Sequence, residues 1–531
     1  MTPRFCTKVL KKIYLALIFI SIFPTVLLAS KPPAVDIVSL QEVLEDITKS
    51  DPAILEALEQ YQSVVAERSI ATSEYYPTIG TELSSGPERT DGVDTNDEQE
   101  DLMATRATLF ARQNLFNGGK TTAFVDETDA RIKAAAYEVL TVANRVYLDS
   151  AEAYINVVKA TQLLQIAKEN LQTQERIMRQ VREKTEAGFS RVSELYNSES
   201  RMVLAKGNYI SRQQDLNQAL VTFHRQFGRL LRAEQFSKPE PKYQFPETLP
   251  ETVDVALRTH PALKVARYNI ETSRYTYEKA LAAYYPTLDL ELRGQYRSDT
   301  DGDEGETKQA AGFLTLNYTF FDGGFREGRK SSDQKGIRKE YQRAYIERRN
   351  VNETVRLAWN IMEAEDYKNE YLSEHVVLSA KTLNAFKEEY FVGRRTLLDL
   401  LNMENEYTDA KVSLAESQFS HLTALYRIMQ ATGVLLDEHD TGLRKTLNLP
   451  VVDSNDNAID YANLNGDRDQ DKLVDISDQC DNSEPSSSEI PYGCRDNDVN
   501  TKGYSQENDL LLSPYIAPVD VEVPAKPKEG K

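Results

Sequence analysis

One pattern occurs twice in this sequence of 531 residues, and that repeat constrains the fold more than any other feature. A Pro-Ala dipeptide opens a helical segment at Pro52 and again at Pro261. The triplet Tyr-Tyr-Pro ends at Pro77 and again at Pro286, and both spacings are 209 residues. Further along, Gly-Gly pairs and later single glycines recur at a spacing of 205 residues. Because a fixed spacing indicates two copies of one structural unit, both halves are predicted to fold alike.

Each half is predicted to contain a helix, a strand, an acidic loop, a strand, a long helix, a glycine turn and a helix. The strand predictions rest on residues that alternate between apolar and polar, as Leu288, Leu290 and Leu292 do with charged neighbours. The predicted strands cover about residues 78–84, 102–116, 287–296 and 310–321.

The long helix of each half carries apolar residues at alternating spacings of three and four, which is the pattern of a coiled-coil seam. A helix of this kind that reaches Gly188 would be roughly 100 Å long. Both long helices end at a glycine, Gly188 and Gly393, and a second helical segment follows at once. Glycine suits such a sharp turn because it adopts backbone angles that other residues avoid.

The chain divides into five segments. Residues 1–30 combine basic residues with an apolar run and small residues, which is typical of a secretory signal peptide, with a retained membrane anchor as the alternative. The remaining segments are a first repeat, a linker, a second repeat and an acidic extension, at residues 31–238, 239–250, 251–440 and 441–531. No other apolar run is long enough to predict a transmembrane helix.

Composition excludes several classes of function. The formal net charge of −20 argues against nucleic acid as a partner, since phosphate binding needs clustered lysine and arginine. The five histidines are scattered, and the sequence contains no phosphate-binding loop and no nucleophile–base pattern. We therefore expect a protein that is not an enzyme and that needs no cofactor for its main activity.

Four strands with one apolar and one charged face are too few to stand alone. Small barrels need about eight strands, and a lone sheet with open apolar edges would aggregate. If the apolar face meets lipid, every strand edge must be paired, so several chains would contribute four strands each to one barrel. Asp289, Glu291 and Arg293 would then face a wet interior. The alternative is a soluble sheet packed on a partner.

Three motifs resemble the TolC family of outer-membrane export channels. They are Tyr-Tyr-Pro before the first strand of each half, Phe-Asn-Gly-Gly or Phe-Asp-Gly-Gly after the second, and the stretch Tyr390–Asn402. The resemblance implies an α+β membrane protein in which a duplicated helix–hairpin–helix unit forms a homotrimer. Its outer-membrane β-barrel, with four strands per chain, would continue as a long α-helical coiled-coil tube in the periplasm. The implied partners are a periplasmic adaptor, an inner-membrane ABC transporter or proton-driven pump, the cargo and outer-membrane lipid.

The resemblance also implies a gate at the two glycine turns. The acidic ring at the constriction would fall on Asp399, and the second ring position falls on Asn402, which leaves one ring of three carboxylates. The links that hold the gate closed would join Arg395 with Ser193, and Tyr390 with Glu194. Ordinary solvation of helix ends is the alternative for each of these residues.

The acidic extension contains oxygen ligands at relative positions 1, 3, 5, 7, 9 and 12, which suits calcium. They are the side chains of Asp467, Asp469, Asp471, Asp475 and Asp478 and the carbonyl of Leu473. This stretch resembles a thrombospondin type 3 repeat, in which calcium loops alternate with disulfides. Cys480 and Cys494 are the even pair left after signal cleavage, which predicts a disulfide in an exported protein. A solvated acidic tail without bound calcium is the alternative. In either case the extension is expected to lie in the periplasm.

The function favoured by these features is a passive trans-periplasmic duct for type I protein secretion, with a large adhesin or RTX-type protein as cargo. The sequence of residues 395–405 resembles that of the secretion branch of the family. Efflux of small molecules or drugs is the rival within the same class. A structural coiled-coil envelope protein without a barrel is the alternative of another class.

Overall fold

The structure, a computed structural model, describes residues 37–91, 99–241, 243–438 and 442–449. Its first half contains α1 (Leu40–Ser50), α2 (Pro52–Ser73), β1 (Thr78–Asp91), β2 (Gln99–Phe116), α3 (Lys120–Glu186) and α4 (Val192–Phe227). The second half contains α5 (Leu249–Thr259), α6 (Pro261–Leu281), β3 (Thr287–Thr300), β4 (Asp303–Asn317), α7 (Phe325–Phe391) and α8 (Leu397–Ala431). Two short helices follow, α9 (Leu435–Glu438) and α10 (Leu443–Thr446). The order of elements is the same in both halves, and α3 and α7 each contain 67 residues.

The described residues form two compact units. One unit draws on residues 37–44, 150–240 and 372–416, and it contains both glycine turns. The other draws on residues 45–149, 241–371 and 417–449, and it contains the sheet. Among the described helices, none combines the length and the apolar character needed to cross a membrane.

The same kind of cap starts the second helix of each half. Asp51 precedes α2 and accepts hydrogen bonds from the backbone N–H groups of Ala53 at 2.9 Å and Ile54 at 3.2 Å. At the equivalent place before α6, the Nδ1 atom of His260 accepts from the N–H group of Ala262 at 3.3 Å. Both helices begin with proline, whose fixed φ suits the first helical position. Local capping therefore explains why both helices begin at this dipeptide.

Because the capping residue His260 is buried, the stability of the folded chain is predicted to depend on pH. Burial lowers the pKa of His260 from 6.5 to about 4, so between these values the unfolded chain binds more protons than the folded chain. Stability should therefore fall as pH drops from 6.5 to 4, by about 3 kcal/mol per chain at most. Melting temperatures measured across this range should show a smaller loss in His260→Asn, because asparagine can cap the helix without titrating. An unchanged pH profile in that variant would contradict the prediction.

The four strands form one antiparallel sheet in the order β1-β2-β3-β4. Each half supplies one hairpin, and the two hairpins join where β2 pairs with β3, with Leu109 opposite Gly294. Within the described chain, the outer edges of β1 and β4 have no neighbouring strand. The backbone donors and acceptors on those two edges are therefore available to another chain.

The two faces of the sheet differ as the alternating sequence predicts. Cross-strand pairing places one set of large apolar residues on a single face, each between 52% and 74% exposed: Ile79, Leu83, Leu109, Leu292, Leu314 and Leu316. The opposite face carries Asp289, Glu291 and Arg293. There Glu291 pairs with Arg293 at 2.6 Å and with Arg112 of β2 at 3.4 Å. One face is thus apolar and uncovered, and the other is charged and internally paired.

The predicted strand ends at the acidic loops were wrong. β1, β2 and β3 are longer than predicted, and β4 begins at residue 303 instead of 310. In the second hairpin most of the predicted acidic loop belongs to β3 and β4. The two strands pair almost to their ends, because Asp301 and Gly302 form a two-residue turn. Their φ angles of +61° and +87° are the positive values that a type I′ turn requires. The Asp-Gly pair was the available sequence signal for this turn.

The predicted end of the last strand was also wrong. The alternating pattern continues to Phe320, but β4 ends at Asn317. Asn317 pairs with Thr287, the first residue of β3, and Pro286 before it has no N–H group to continue the ladder. A strand needs a partner as well as a pattern, so the pairing ends with β3.

A buried tyrosine ties chain segments together in the unit that contains the glycine turns. The hydroxyl group of Tyr154 donates to the carbonyl of Val38 at 2.8 Å and accepts from the N–H group of Ser237 at 3.0 Å. Its ring packs against Phe223 and Phe236. The hydroxyl group thereby fixes the N-terminal segment and the segment after α4 to α3.

Removing that hydroxyl group should destabilise the protein. Tyr154→Phe keeps the ring but leaves two backbone groups without their partner, which should cost about 2–3 kcal/mol. The melting temperature of the purified protein measures this cost. Tyr371→Phe is the matched control, because Tyr371 is 69% exposed and the change should alter stability by less than about 0.5 kcal/mol. Equal melting temperatures for the two variants would contradict the prediction.

Candidate gate at the helical turns

Both glycine turns have the same backbone geometry. Gly188 and Gly393 adopt left-handed conformations with φ of +80° and +77°. The N–H group of Phe189 bonds the carbonyl of Lys184, and that of Arg394 bonds the carbonyl of Glu389, each at 2.8 Å. This is the Schellman arrangement that ends a helix at a residue with positive φ. The local sequence therefore reverses the chain at the same place in each half.

Residues from four helices pack together beside these turns. Ile177 and Val181 of α3 form a buried cluster with Leu397 and Leu401 of α8, and Leu195 of α4 and Tyr390 of α7 pack against it. Tyr390 also contacts a second cluster within the α7–α8 hairpin, formed by Leu383, Leu400 and Met403. Tyr390 therefore lies where the hairpin of the second half meets the hairpin of the first.

In the structure, Tyr390 and Glu194, which were predicted to form a link, interact electrostatically. Burial raises the pKa of the Tyr390 phenol, and the negative charge of Glu194 raises it further. Glu194 also accepts a hydrogen bond from the hydroxyl group of Ser190. The carboxylate is thus held at the start of α4. Its role as a gate link stays a prediction.

Arg395 and Ser193 are not brought together within the chain. The Nε atom of Arg395 donates to Glu389 at 2.8 Å, and its guanidinium group lies 4.0 Å from the ring centre of Phe386. Ser193 is exposed on α4. Arg395 immediately follows the turn, so its side chain folds back on its own long helix. A contact with Ser193 would have to come from another copy of the chain.

Asp399 caps the helix in which it lies. Its Oδ2 atom accepts from the backbone N–H group of Thr396 at 3.3 Å, and its own N–H group donates to the hydroxyl oxygen of Thr396 at 3.2 Å. These reciprocal bonds are a capping box. The signal was present in the sequence as Thr396-Leu-Leu-Asp399, and the sequence analysis missed it. The predicted ring acid therefore also has a structural role at the start of α8.

Asn402, on which the resemblance placed the second ring position, bonds to the first half. Its Oδ1 atom accepts from the Nη2 atom of Arg201 at 3.1 Å, which links α8 to α4. Asn402 is exposed. An amide at this position makes the contact without adding negative charge.

A pair of ionic contacts around the turns is duplicated. Arg182 bonds Glu199 at 2.9 Å across the first turn, and Lys387 lies 3.3 Å from Glu404 across the second. Arg182 and Lys387 are 205 residues apart, and so are Glu199 and Glu404. Each contact ties a long helix to the helix that follows it. Applying the 205-residue spacing to charged residues would have found them from the sequence.

The predicted calcium ligands and the predicted disulfide lie outside the described residues. This applies to Asp467, Asp469, Asp471, Leu473, Asp475, Asp478, Cys480 and Cys494. Within the described ranges, no group of three or more metal-ligating side chains is assembled.

Comparison with known proteins assigns the family. The family model described as "Outer membrane efflux protein" matches residues 43–229 and 252–434, once in each half. The Outer membrane protein TolC of Escherichia coli K12 is 23% identical over 443 residues, which cover 79% of this chain and 87% of that protein. The Alkaline protease secretion protein AprF of Pseudomonas aeruginosa is 24% identical over 417 residues, which cover 74% and 84%.

The fold is also that of solved outer-membrane proteins. The crystal structure of the outer membrane protein VceC from Vibrio cholerae aligns with a TM-score of 0.65 at 16% identity. The alignment covers 74% of this chain and 96% of VceC. The duplicated helix–hairpin–helix order, the four-stranded sheet and the paired glycine turns agree with the family match over most of the chain. The chain therefore belongs to the outer membrane efflux protein family, to which the TolC-like channels belong.

Proposed function

We propose that three copies of this chain form one outer-membrane channel that acts as a passive export duct. The proposal rests on the four-stranded sheet. Within the described chain, the outer edges of β1 and β4 have no neighbouring strand, and the apolar face that carries the leucines is exposed. Lipid cannot hydrogen-bond a strand edge, so the edges must pair between chains. Three sheets of four strands make twelve strands, enough for a closed barrel with a polar interior.

Aromatic side chains near the sheet support a membrane boundary at the junction with the helices. Phe320 and Phe321, which follow β4, are 87% and 85% exposed. Tyr76 before β1 and Tyr285 before β3 are also exposed. Aromatic side chains form such girdles where a barrel leaves the hydrocarbon layer. The helices would then begin on the periplasmic side.

An exposed seam on α4 supports packing between copies below that boundary. Val192, Tyr196, Val203 and Ile210 are spaced by four, seven and seven residues, and each is more than half exposed. Coiled-coil packing buries residues at this spacing against a neighbouring helix. A helix of the adjacent copy is the proposed cover, and the helices together would form the tube.

The two glycine turns form the proposed gate at the inner end of the tube. Three copies of Asp399 supply one acidic ring, and Tyr390 with Glu194 holds each closed hairpin within its own chain. Arg395 reaches Ser193 of the adjacent copy in this proposal. The chain itself supplies no energy source, so an adaptor and an inner-membrane ABC transporter provide recruitment and energy.

The proposed cargo is a large protein exported by type I secretion. The sequence of residues 395–405 and the similarity to the Alkaline protease secretion protein AprF support this class of cargo. The test supplies the channel to a host that lacks its own, together with an ABC exporter, its adaptor and a reporter cargo. Cargo in the medium, with no rescue of a proton-driven drug pump, supports secretion. Drug resistance without cargo export would instead establish the rival, small-molecule efflux, which the family description favours.

We also propose that the acidic extension binds calcium between Asp467 and Asp478 and that Cys480 and Cys494 form a disulfide. Calorimetric titration of the purified channel with calcium should show binding that Asp467→Asn with Asp471→Asn abolishes. Asp453→Asn with Asp520→Asn is the control, because it also removes two negative charges but outside the ligand spacing. Thiol alkylation with and without reduction tests the disulfide. No heat of binding in the parent protein would contradict the calcium site.

A further inference from the structure

Lys184 makes a contact at the turns that the gate described above does not include. It lies in the last turn of α3. Its Nζ atom is 4.6 Å from the ring centre of Tyr390 and 5.6 Å from that of Phe391, at the end of α7. A cation within about 6 Å of a ring centre is attracted to the ring face. Lys184 therefore joins the first hairpin to the second through an aromatic side chain.

Tyr390 is held by the first half at two places. Lys184 lies at its ring, and Glu194 is close enough to act on its phenol group. One of these groups comes from α3 and the other from α4. If α7 and α8 moved away from α3 and α4, the contact with Lys184 would be lost and the effect of the Glu194 charge on the phenol would weaken.

A second contact between a cation and an aromatic ring near the turns lies within one hairpin. Arg395 lies over the ring of Phe386 at 4.0 Å, but both residues belong to the α7–α8 hairpin. That contact would survive if the hairpin moved as one piece. Glu389, which is 205 residues after Lys184, is likewise paired within the hairpin, with Arg395. The contact of Lys184 would therefore be lost when the two hairpins separate, whereas the contact of Arg395 would not.

We propose that Lys184 is a positioning residue of the gate, which holds Tyr390 against the first hairpin in the closed channel through its contact with the ring face. The inference rests on the proposed export channel with its gate at the turns. A cation on an aromatic ring should favour the closed state roughly 2- to 5-fold per protomer. A simple effect of charge on the C-terminal end of α3 is the competing explanation, because that end attracts cations as well.

The test measures the open probability of single channels in planar bilayers. Lys184→Met keeps the length of the side chain and removes its charge, and Lys184→Arg keeps the charge. Each is combined with Tyr390→Phe, which keeps the ring, or Tyr390→Leu, which removes it. Lys168→Met is the matched control, an exposed lysine on the same helix. Trimer yield on gels and melting temperature show that each variant folds.

We expect Lys184→Met to raise the open probability roughly 2- to 5-fold per protomer in the parent and in Tyr390→Phe, and to have no further effect in Tyr390→Leu. Lys184→Arg and Lys168→Met should leave the channel closed. An equal effect of Lys184→Met in the Tyr390→Leu background would overturn the inference in favour of the helix-end charge. Opening by Tyr390→Leu without any effect of Lys184→Met would overturn it while leaving the proposed gate intact. If Tyr390→Leu does not open the channel either, the gate and this inference both fail.

Discussion

A channel that carries Tyr390→Leu together with Arg395→Ala is expected to conduct several-fold more current than the parent protein in planar bilayers. Tyr390 packs at the meeting point of four helices and lies near Glu194. Leucine keeps the apolar packing but removes the phenol group. It also removes the ring face that Lys184 contacts, an attraction of about 0.5–1 kcal/mol, so three copies sum to about 1.5–3 kcal/mol per trimer. A bias of that size shifts an open–closed equilibrium by roughly 10- to 150-fold.

The same recordings can identify the partner of Arg395. Within the chain it bonds Glu389, in an exposed pair that should contribute at most about 1 kcal/mol. If the functional link runs to Ser193 of an adjacent copy, Ser193→Ala should open the channel and Glu389→Gln should not. The reverse result would assign the role to the pair within the chain. Unchanged conductance in the Tyr390→Leu, Arg395→Ala channel would contradict a gate at these turns.

Leu292→Arg is expected to abolish the stable trimer in the outer membrane. Leu292 lies on the apolar face of β3, paired with Ala111 on one side and Gly312 on the other. An arginine that faces lipid at the middle of the bilayer costs about 2–4 kcal/mol, or about 6–12 kcal/mol for three copies. The measurement is the amount of heat-modifiable trimer extracted from outer-membrane fractions.

The control places the same side chain on the other face of the same strand. Gln295 is three residues further along β3, so it faces the charged side, and Gln295→Arg should assemble normally. A soluble sheet covered by a protein partner could also be disrupted by Leu292→Arg, but it would not give membrane-embedded trimers in the control. Equal trimer yields from the two variants would contradict contact between the leucine face and lipid.

The sequence predicted the repeated order of elements because its signals are local and occur twice. Proline after Tyr75-Tyr76 and Tyr284-Tyr285 marks the start of each hairpin, and Gly188 and Gly393 mark the turns. The strand ends were predicted less well. Alternation of side chains extends past Asn317, but pairing stops there because β3 begins only at Thr287. Strand length depends on the partner strand, and one strand's own pattern does not contain that information.

The gate shows the same division between local and non-local information. The resemblance paired Tyr390 with Glu194, and in the structure the charge of Glu194 helps to raise the pKa of the Tyr390 phenol. The contact of Arg395 with Glu389 depends on how the turn folds back, which spacing does not predict. The contact of Lys184 with Tyr390 joins residues that are far apart in sequence. By contrast, the capping box of Asp399 was readable from four consecutive residues.

Engineered disulfides test most directly whether three open sheets close into one barrel. β1 and β4 are separated by two strands, about 14 Å in all, too far for a disulfide within one chain. A protein with Cys480→Ser and Cys494→Ser would carry Ser84→Cys on β1 and a single cysteine scanned along the same face of β4, at Thr307, Gln309 or Ala311. After mild oxidation, at least one position should give a covalent trimer on a denaturing, non-reducing gel. Monomers alone at every position would contradict closure of the sheet by neighbouring chains.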